Sequence, residues 1–145
     1  MIEVYRTSVI PAPAGDVWRL VRDFDAMPVW NATIRSSRIE QGLADRVGCR
    51  RVLTFDDGSV WIHELTVLSD AEMSIGYAIV GTPEPMRLPI RNYRAVIRVT
   101  PSGADDCLVE WRATFQSDRE GDVRERAGAV FQAGFDGLKR HFARG

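Results

Sequence analysis

Apolar and polar positions alternate in two rhythms along this chain. Residues 2–10 (IEVYRTSVI) are rich in β-branched and aromatic side chains and predict a strand, closed by Pro11 and Pro13. Pro13 suits the first turn of a helix, where its missing N–H costs nothing. Val17, Leu20, Val21 and Phe24 then recur at helical spacing, with Trp18 beside them. Asp25 is placed to cap a second short turn, Ala26–Trp30, which carries Pro28 early. From about residue 34 to 117 the period becomes two. Ile34–Glu40, Gly48–Phe55, Val60–Leu68, Met73–Val80, Asn92–Thr100 and Cys107–Gln116 read as strands. Asp56-Asp57-Gly58-Ser59 is a strong hairpin signal, because a DG pair tolerates positive φ. Tyr93, Ala95, Ile97 and Val99 share one face of their strand, and Cys107, Val109, Trp111, Ala113 and Phe115 one face of the next. The segment Gly81-Thr82-Pro83-Glu84-Pro85 is too proline-rich for a strand and reads as a loop, a mobile entrance or a rigid connection. Helical spacing returns with Val123, Ala127, Val130, Phe131, Gly134, Phe135, Leu138 and Phe142, a helix of roughly six turns with Asp122 as its expected cap.

The order is strand, two short helices, six strands, one long helix. One-sided alternation marks antiparallel strands with one wet face. The other face needs a cover, and only the last helix is long enough to supply it. One helix cannot touch all of a seven-stranded sheet, so either side chains fill the remainder or a cavity is left. Length predicts a single domain over 1–145, with room for a sizeable core.

Lys and Arg number 19 and Asp and Glu 20, for a net charge of −1. That balance lacks the basic field that phosphate-backbone binding needs, so nucleic acid is not an expected partner. No apolar run reaches the ~18 residues that span a bilayer, so membrane insertion is not expected. The start lacks a basic stretch leading into an apolar one, so no signal peptide is read and the expected location is the cytoplasm. Cys49 and Cys107 are two, without CxxC or clustered His, so neither a disulfide framework, nor a metal site, nor a cofactor is expected. Association with a second copy of the chain is left open.

The segments VIPAPAGDVWRLVRDFDAMPVW (Val9–Trp30), RVGCRR (Arg46–Arg51), HELTVLSD (His63–Asp70), RLPIRNYRAVIRVTP (Arg87–Pro101) and VEWRATF (Val109–Phe115) stand in an order that resembles the START-like, or Bet v 1-like (SRPBCC), superfamily. Within it they are similar to bacterial polyketide cyclase/dehydrase-type proteins and to the plant abscisic acid receptors. The likeness covers nearly the whole chain and implies an α+β helix-grip fold, a seven-stranded antiparallel sheet around the long C-terminal helix. It is far less specific for activity, since function resides in sites grafted on folds. Residue by residue, the resemblance implies that Arg35, Glu64, Tyr77, Tyr93, Val130 and Gly134 face a ligand, with Phe131 beside the last two. Two features of the receptors are missing. A tight Asp56–Ser59 hairpin stands where their gate loop would be, and Met86-Arg87-Leu88 lacks the His of their latch. The resemblance therefore does not extend to a hormone-receptor role.

Glu64 sits mid-strand among apolar neighbours, where a buried carboxylate must be paired or protonated. Two placements are open: inside the cavity with Arg35 as partner, or outside with an Arg of a neighbouring strand. Alternation does not decide, because Val60, Ile62 and Leu68 share Glu64's parity while Trp61, Leu65 and Val67 share the other. His63 must face away from Glu64, so the two form no dyad. Tyr77 and Tyr93 offer hydroxyls on apolar rings, suited to a mostly apolar ligand with polar tips. Leu53, Phe55, Trp111 and Phe115 would share the inner face. Three functions follow. The first is binding of a small hydrophobic molecule such as a lipid, polyketide or isoprenoid. The second is a cyclase, aromatase or dehydratase using Glu64 or Tyr93 as acid or base. The third is a protein-interaction module with a filled core. The first two predict a cavity of ~300–1,000 Å³ holding Glu64.

Overall fold

The computed structural model describes residues 1–81 and 90–143. Seven antiparallel strands form one sheet: β1 (Ile2–Ile10), β2 (Ile34–Gln41), β3 (Arg50–Phe55), β4 (Val60–Ser69), β5 (Ser74–Gly81), β6 (Arg91–Pro101) and β7 (Cys107–Gln116). Their spatial order is β1-β7-β6-β5-β4-β3-β2, so the first strand pairs with the last. Between β1 and β2 lie two short helices, α1 (Ala14–Val21) and α2 (Met27–Trp30), and α3 (Glu120–Phe142) ends the fold. These are the strands and helices that the two rhythms predict, in the helix-grip arrangement that the resemblance implies. The loop expected around residues 81–90, and Met86-Arg87-Leu88 within it, lie almost wholly outside the described residues.

Both expected caps are corrected. Ala26, not Asp25, precedes α2, and the Asp25 carboxylate instead accepts a hydrogen bond from Ser37 Oγ at 2.9 Å. α3 begins two residues before Asp122, which lies in its first turn and accepts from Arg119 Nε at 2.8 Å. An acid there still complements the positive end of the helix.

The inner face of the sheet carries the core: Leu53 and Phe55 from β3, Leu65 from β4, Ile75 and Tyr77 from β5, and the alternating sets of β6 and β7. α3 packs on β1 and β7 and crosses α2, while α1 packs on β6 and β7. The crossing of α2 and α3 depends on glycine. A Cβ at Gly137 would stand 1.8 Å from the Trp30 carbonyl oxygen, and one at Gly134 would stand 2.8 Å from ring carbons of both Trp30 and Trp111. With α3 held over β1 and β7 at that crossing, its N-terminal half passes β3, β4 and β5 at a distance. The cavity lies there.

Candidate functional site

The cavity, partly open to solvent, has a volume of about 60 Å³ between the first half of α3 and the inner face of β3–β7. Close-packed interiors leave few voids larger than a water molecule, so this is a true gap. It is nonetheless smaller than the predicted several hundred Å³. Phe55, Tyr77, Tyr93, Trp111 and Val130 line it, as the sequence reading expected. Trp61, Arg126 and Val130 are only half-buried and form part of its rim.

Five expected site residues lie elsewhere. Glu64 is on the outer face of β4, opposite Arg50 in the β3–β4 register, and accepts a hydrogen bond from Arg50 Nε at 3.1 Å. Its side chain is 31% exposed, so neither charge is stranded. Arg35 is exposed and donates to the Asp56 carbonyl at 3.0 Å, forming no pair with Glu64. Leu53 is fully buried in the core and does not border the cavity. Phe131 stacks on Trp111 with ring centres 4.3 Å apart, and Gly134 is covered by Trp30 and Trp111. These last two residues hold α3 down where it touches the sheet, not where it lifts off.

Position 64 misleads because β4 carries an irregularity. Leu65 pairs with Tyr77 but Val67 with Gly76, so one extra residue intervenes. A bulge of this kind reverses the in-out parity beyond it. Trp61, His63 and Leu65 therefore face in, Val67 faces out, and Leu68 packs on the core again. Without the bulge, Leu68 argues for Glu64 inside.

The polar group that faces in is His63, with Arg51 opposite it on β3. Both are buried. Arg51 donates to the Phe24 carbonyl at 2.8 Å through one terminal nitrogen and meets His63 Nδ1 at 3.1 Å through the other. Its guanidinium lies 3.9 Å above the Phe24 ring centre and 5.1 Å from that of Tyr77. Burial lowers it to about 10, so it stays charged at neutral pH. Burial first, and Arg51 second, push His63 well below the ordinary imidazole value. Sequence reading missed this pair. Its one available signal was the parity of Cys49, Arg51, Leu53 and Phe55 on β3, which puts Arg51 among core residues.

From His63 a run of stacked rings crosses four strands. His63 lies on Tyr77 at 4.5 Å, Tyr77 is 6.4 Å from Tyr93, and Tyr93 is 5.6 Å from Phe115. Trp111 Nε1 donates to the Tyr77 hydroxyl at 3.2 Å. Burial raises the Tyr77 phenol above its ordinary value. Tyr93 is raised further, by burial and then by Tyr77. The site is thus an apolar-walled gap with a hydrogen-bonded floor of neutral His63, Tyr77 and Tyr93, behind which the charged Arg51 lies buried, and its phenols stay protonated.

Helix-grip folds with a gap under the long helix define the START-like class, and this chain has that form. It belongs to the family described as polyketide cyclase / dehydrase and lipid transport, whose model matches residues 1–143. The protein XoxI of Bacillus cereus superposes with a TM-score of 0.86 at 26% identity, covering 99% of this chain and 97% of that one. A protein from Thermobifida fusca gives 0.85 at 29% identity, covering 99% and 95%. A START superfamily protein from Mycobacterium smegmatis shares the fold at 19% identity and TM-score 0.78, covering 98% and 97%. Over 93 residues the chain is 30% identical to the abscisic acid receptor PYL1 of Arabidopsis thaliana; that match takes in 62% of this chain but only 40% of the receptor. Among the described residues no helix is long and apolar enough to cross a membrane.

Proposed function

We propose that this chain binds a small, mostly apolar molecule of the lipid, polyketide or isoprenoid kind in the cavity between α3 and the sheet. The observation that carries this reading is a gap left open in an otherwise close-packed core, lined by apolar and aromatic groups and by buried His63. The family's description, which includes lipid transport, supports the same class of ligand. At about 60 Å³ the cavity holds only a few waters, so a ligand of this kind extends past the half-buried side chains Trp61, Arg126 and Val130 at its rim.

Cyclase or dehydratase chemistry is the weaker reading. A general acid or base works best with a pKa near the operating pH. In this cavity His63 is held well below that range and Tyr77 and Tyr93 above it, while Glu64 lies on the outer face. The groups favour holding a molecule over moving its protons.

Native mass spectrometry of protein purified from its own host tests the proposal, together with titration of ligand-free protein by hexanoate and 1-hexanol followed by amide NMR. A co-purifying molecule is expected, with ligand-induced shifts at Tyr93, Ala127 and Val130. Glu64→Gln should bind equally well. No adduct from the host, together with no shift from either probe, would overturn the reading.

A further inference from the structure

We infer that the floor of the cavity is a receptor for a ligand's carboxylate, with His63 Nε2–H as the donor and Arg51 as the residue that makes it one. The inference rests on the binding reading above and specifies the ligand's polar end.

A guanidinium carries donors only. With Arg51 at 3.1 Å, His63 Nδ1 must therefore accept, and a neutral imidazole that accepts at Nδ1 bears its proton on Nε2. Stacking on Tyr77 at 4.5 Å and 10° between planes fixes the plane of the ring. Nε2 makes no hydrogen bond to a described residue. His63 lines the cavity, and Nε2–H is the ring donor it has left to offer a ligand there.

Charge sets the preference. Arg51 is buried with its Nε unpartnered, and among the described residues it meets two aromatic rings, a carbonyl and a neutral imidazole. Asp25, the acid whose charge bears on it, is exposed and bonded to Ser37. No buried counter-ion for Arg51 stands among the described residues, and a buried cation so placed favours an anion nearby, the more so in low dielectric. A carboxylate on Nε2–H would lie across one imidazole ring from the guanidinium. The apolar walls formed by Phe55, Trp111 and Val130 would take its hydrocarbon tail.

Two measurements test this. In wild-type protein, long-range ¹H–¹⁵N spectra of the imidazole should show His63 with the proton on Nε2 and Nδ1 unprotonated; the opposite tautomer would overturn the inference. Titration with hexanoate, hexanamide and 1-hexanol should then rank the carboxylate at least tenfold tighter, with the His63 Nε2 resonance moving on binding. Equal affinity for all three leaves the binding reading standing and refutes this one, as does hexanoate binding that leaves Nε2 unmoved, which would place the anion at Arg126 on the rim. Failure of all three probes to bind, with no adduct from the host, removes both readings. His63→Phe keeps a ring for Tyr77 and deletes the donor; it should lose the preference for hexanoate and still bind hexanol. If that variant does not fold, the wild-type spectra and titrations decide alone.

Discussion

His63 is the residue in which packing and chemistry meet. Its place on the inner face follows from the pairing of β4 with β3, and its neutrality follows from burial and from Arg51. Neutrality has a consequence for stability. An imidazole whose pKa is lower in the folded state than in the unfolded chain takes up its proton first on unfolding. Its contribution is complete above the unfolded value near 6.5 and is lost as pH falls toward the folded one. The unfolding free energy from urea titrations should therefore drop between pH 7 and pH 5.5, His63 contributing at most about 1.4 kcal/mol per pH unit, the limit for one proton. His63→Phe should flatten that slope. An unfolding free energy independent of pH across this window in wild-type protein would mean that His63 is charged in the folded state, and would also remove the argument for its donor at Nε2.

Strand and helix boundaries were legible in the sequence because alternation over β6 and β7 and the three-four spacing of α3 are long and unbroken. The site was legible only in part. Tyr77 and Trp111 lie on strands whose own parity is regular where they sit, and Tyr93, just past an irregularity at Asn92, opens the unbroken alternation of β6; all three line the cavity. Glu64 and His63 lie next to a bulge, and an extra residue at Thr66 inverts the pattern from which their faces are read. No periodicity argument recovers that inversion without the register. The α2–α3 crossing was likewise hidden, since glycines in a helix pattern look like weakness until a neighbour's backbone is seen against them. At Gly137 that neighbour is the Trp30 carbonyl, with 1.8 Å between its oxygen and any added Cβ. Gly137→Ala should force the helices apart and cost about 3 kcal/mol, the upper end of the overpacking range, in spite of alanine's better helix propensity. Thermal unfolding reads this directly. Gly121→Ala, with nothing within 4 Å of the added methyl, should be neutral or stabilising.

The fold as a whole sets stability against binding, and the cavity is where the two can be separated. α3 is pinned over β1 and β7 by Phe131, Gly134 and Gly137, so its first half stands off β3–β5 and leaves the gap. A chain selected for packing alone would fill that gap. Ala127 is the place to fill it, a buried helix residue on the cavity wall with no polar group to satisfy. Ala127→Leu adds three carbons. At about 0.8 kcal/mol for each buried methylene the gain is bounded near 2 kcal/mol, and imperfect fit reduces it. For a chain of this length, 1 kcal/mol corresponds to a few degrees in unfolding temperature. The variant should therefore melt a few degrees higher than wild type, yet bind hexanoate and hexanol at least tenfold more weakly, because the added side chain occupies the ligand's volume. Improved stability with undiminished binding would place the ligand somewhere other than beneath α3. Reduced stability would mean that the gap is too narrow for even a leucine, and a wall that rigid admits no lipid-sized guest. Only the paired outcome, firmer fold and poorer binding, fits a cavity kept open at the expense of packing.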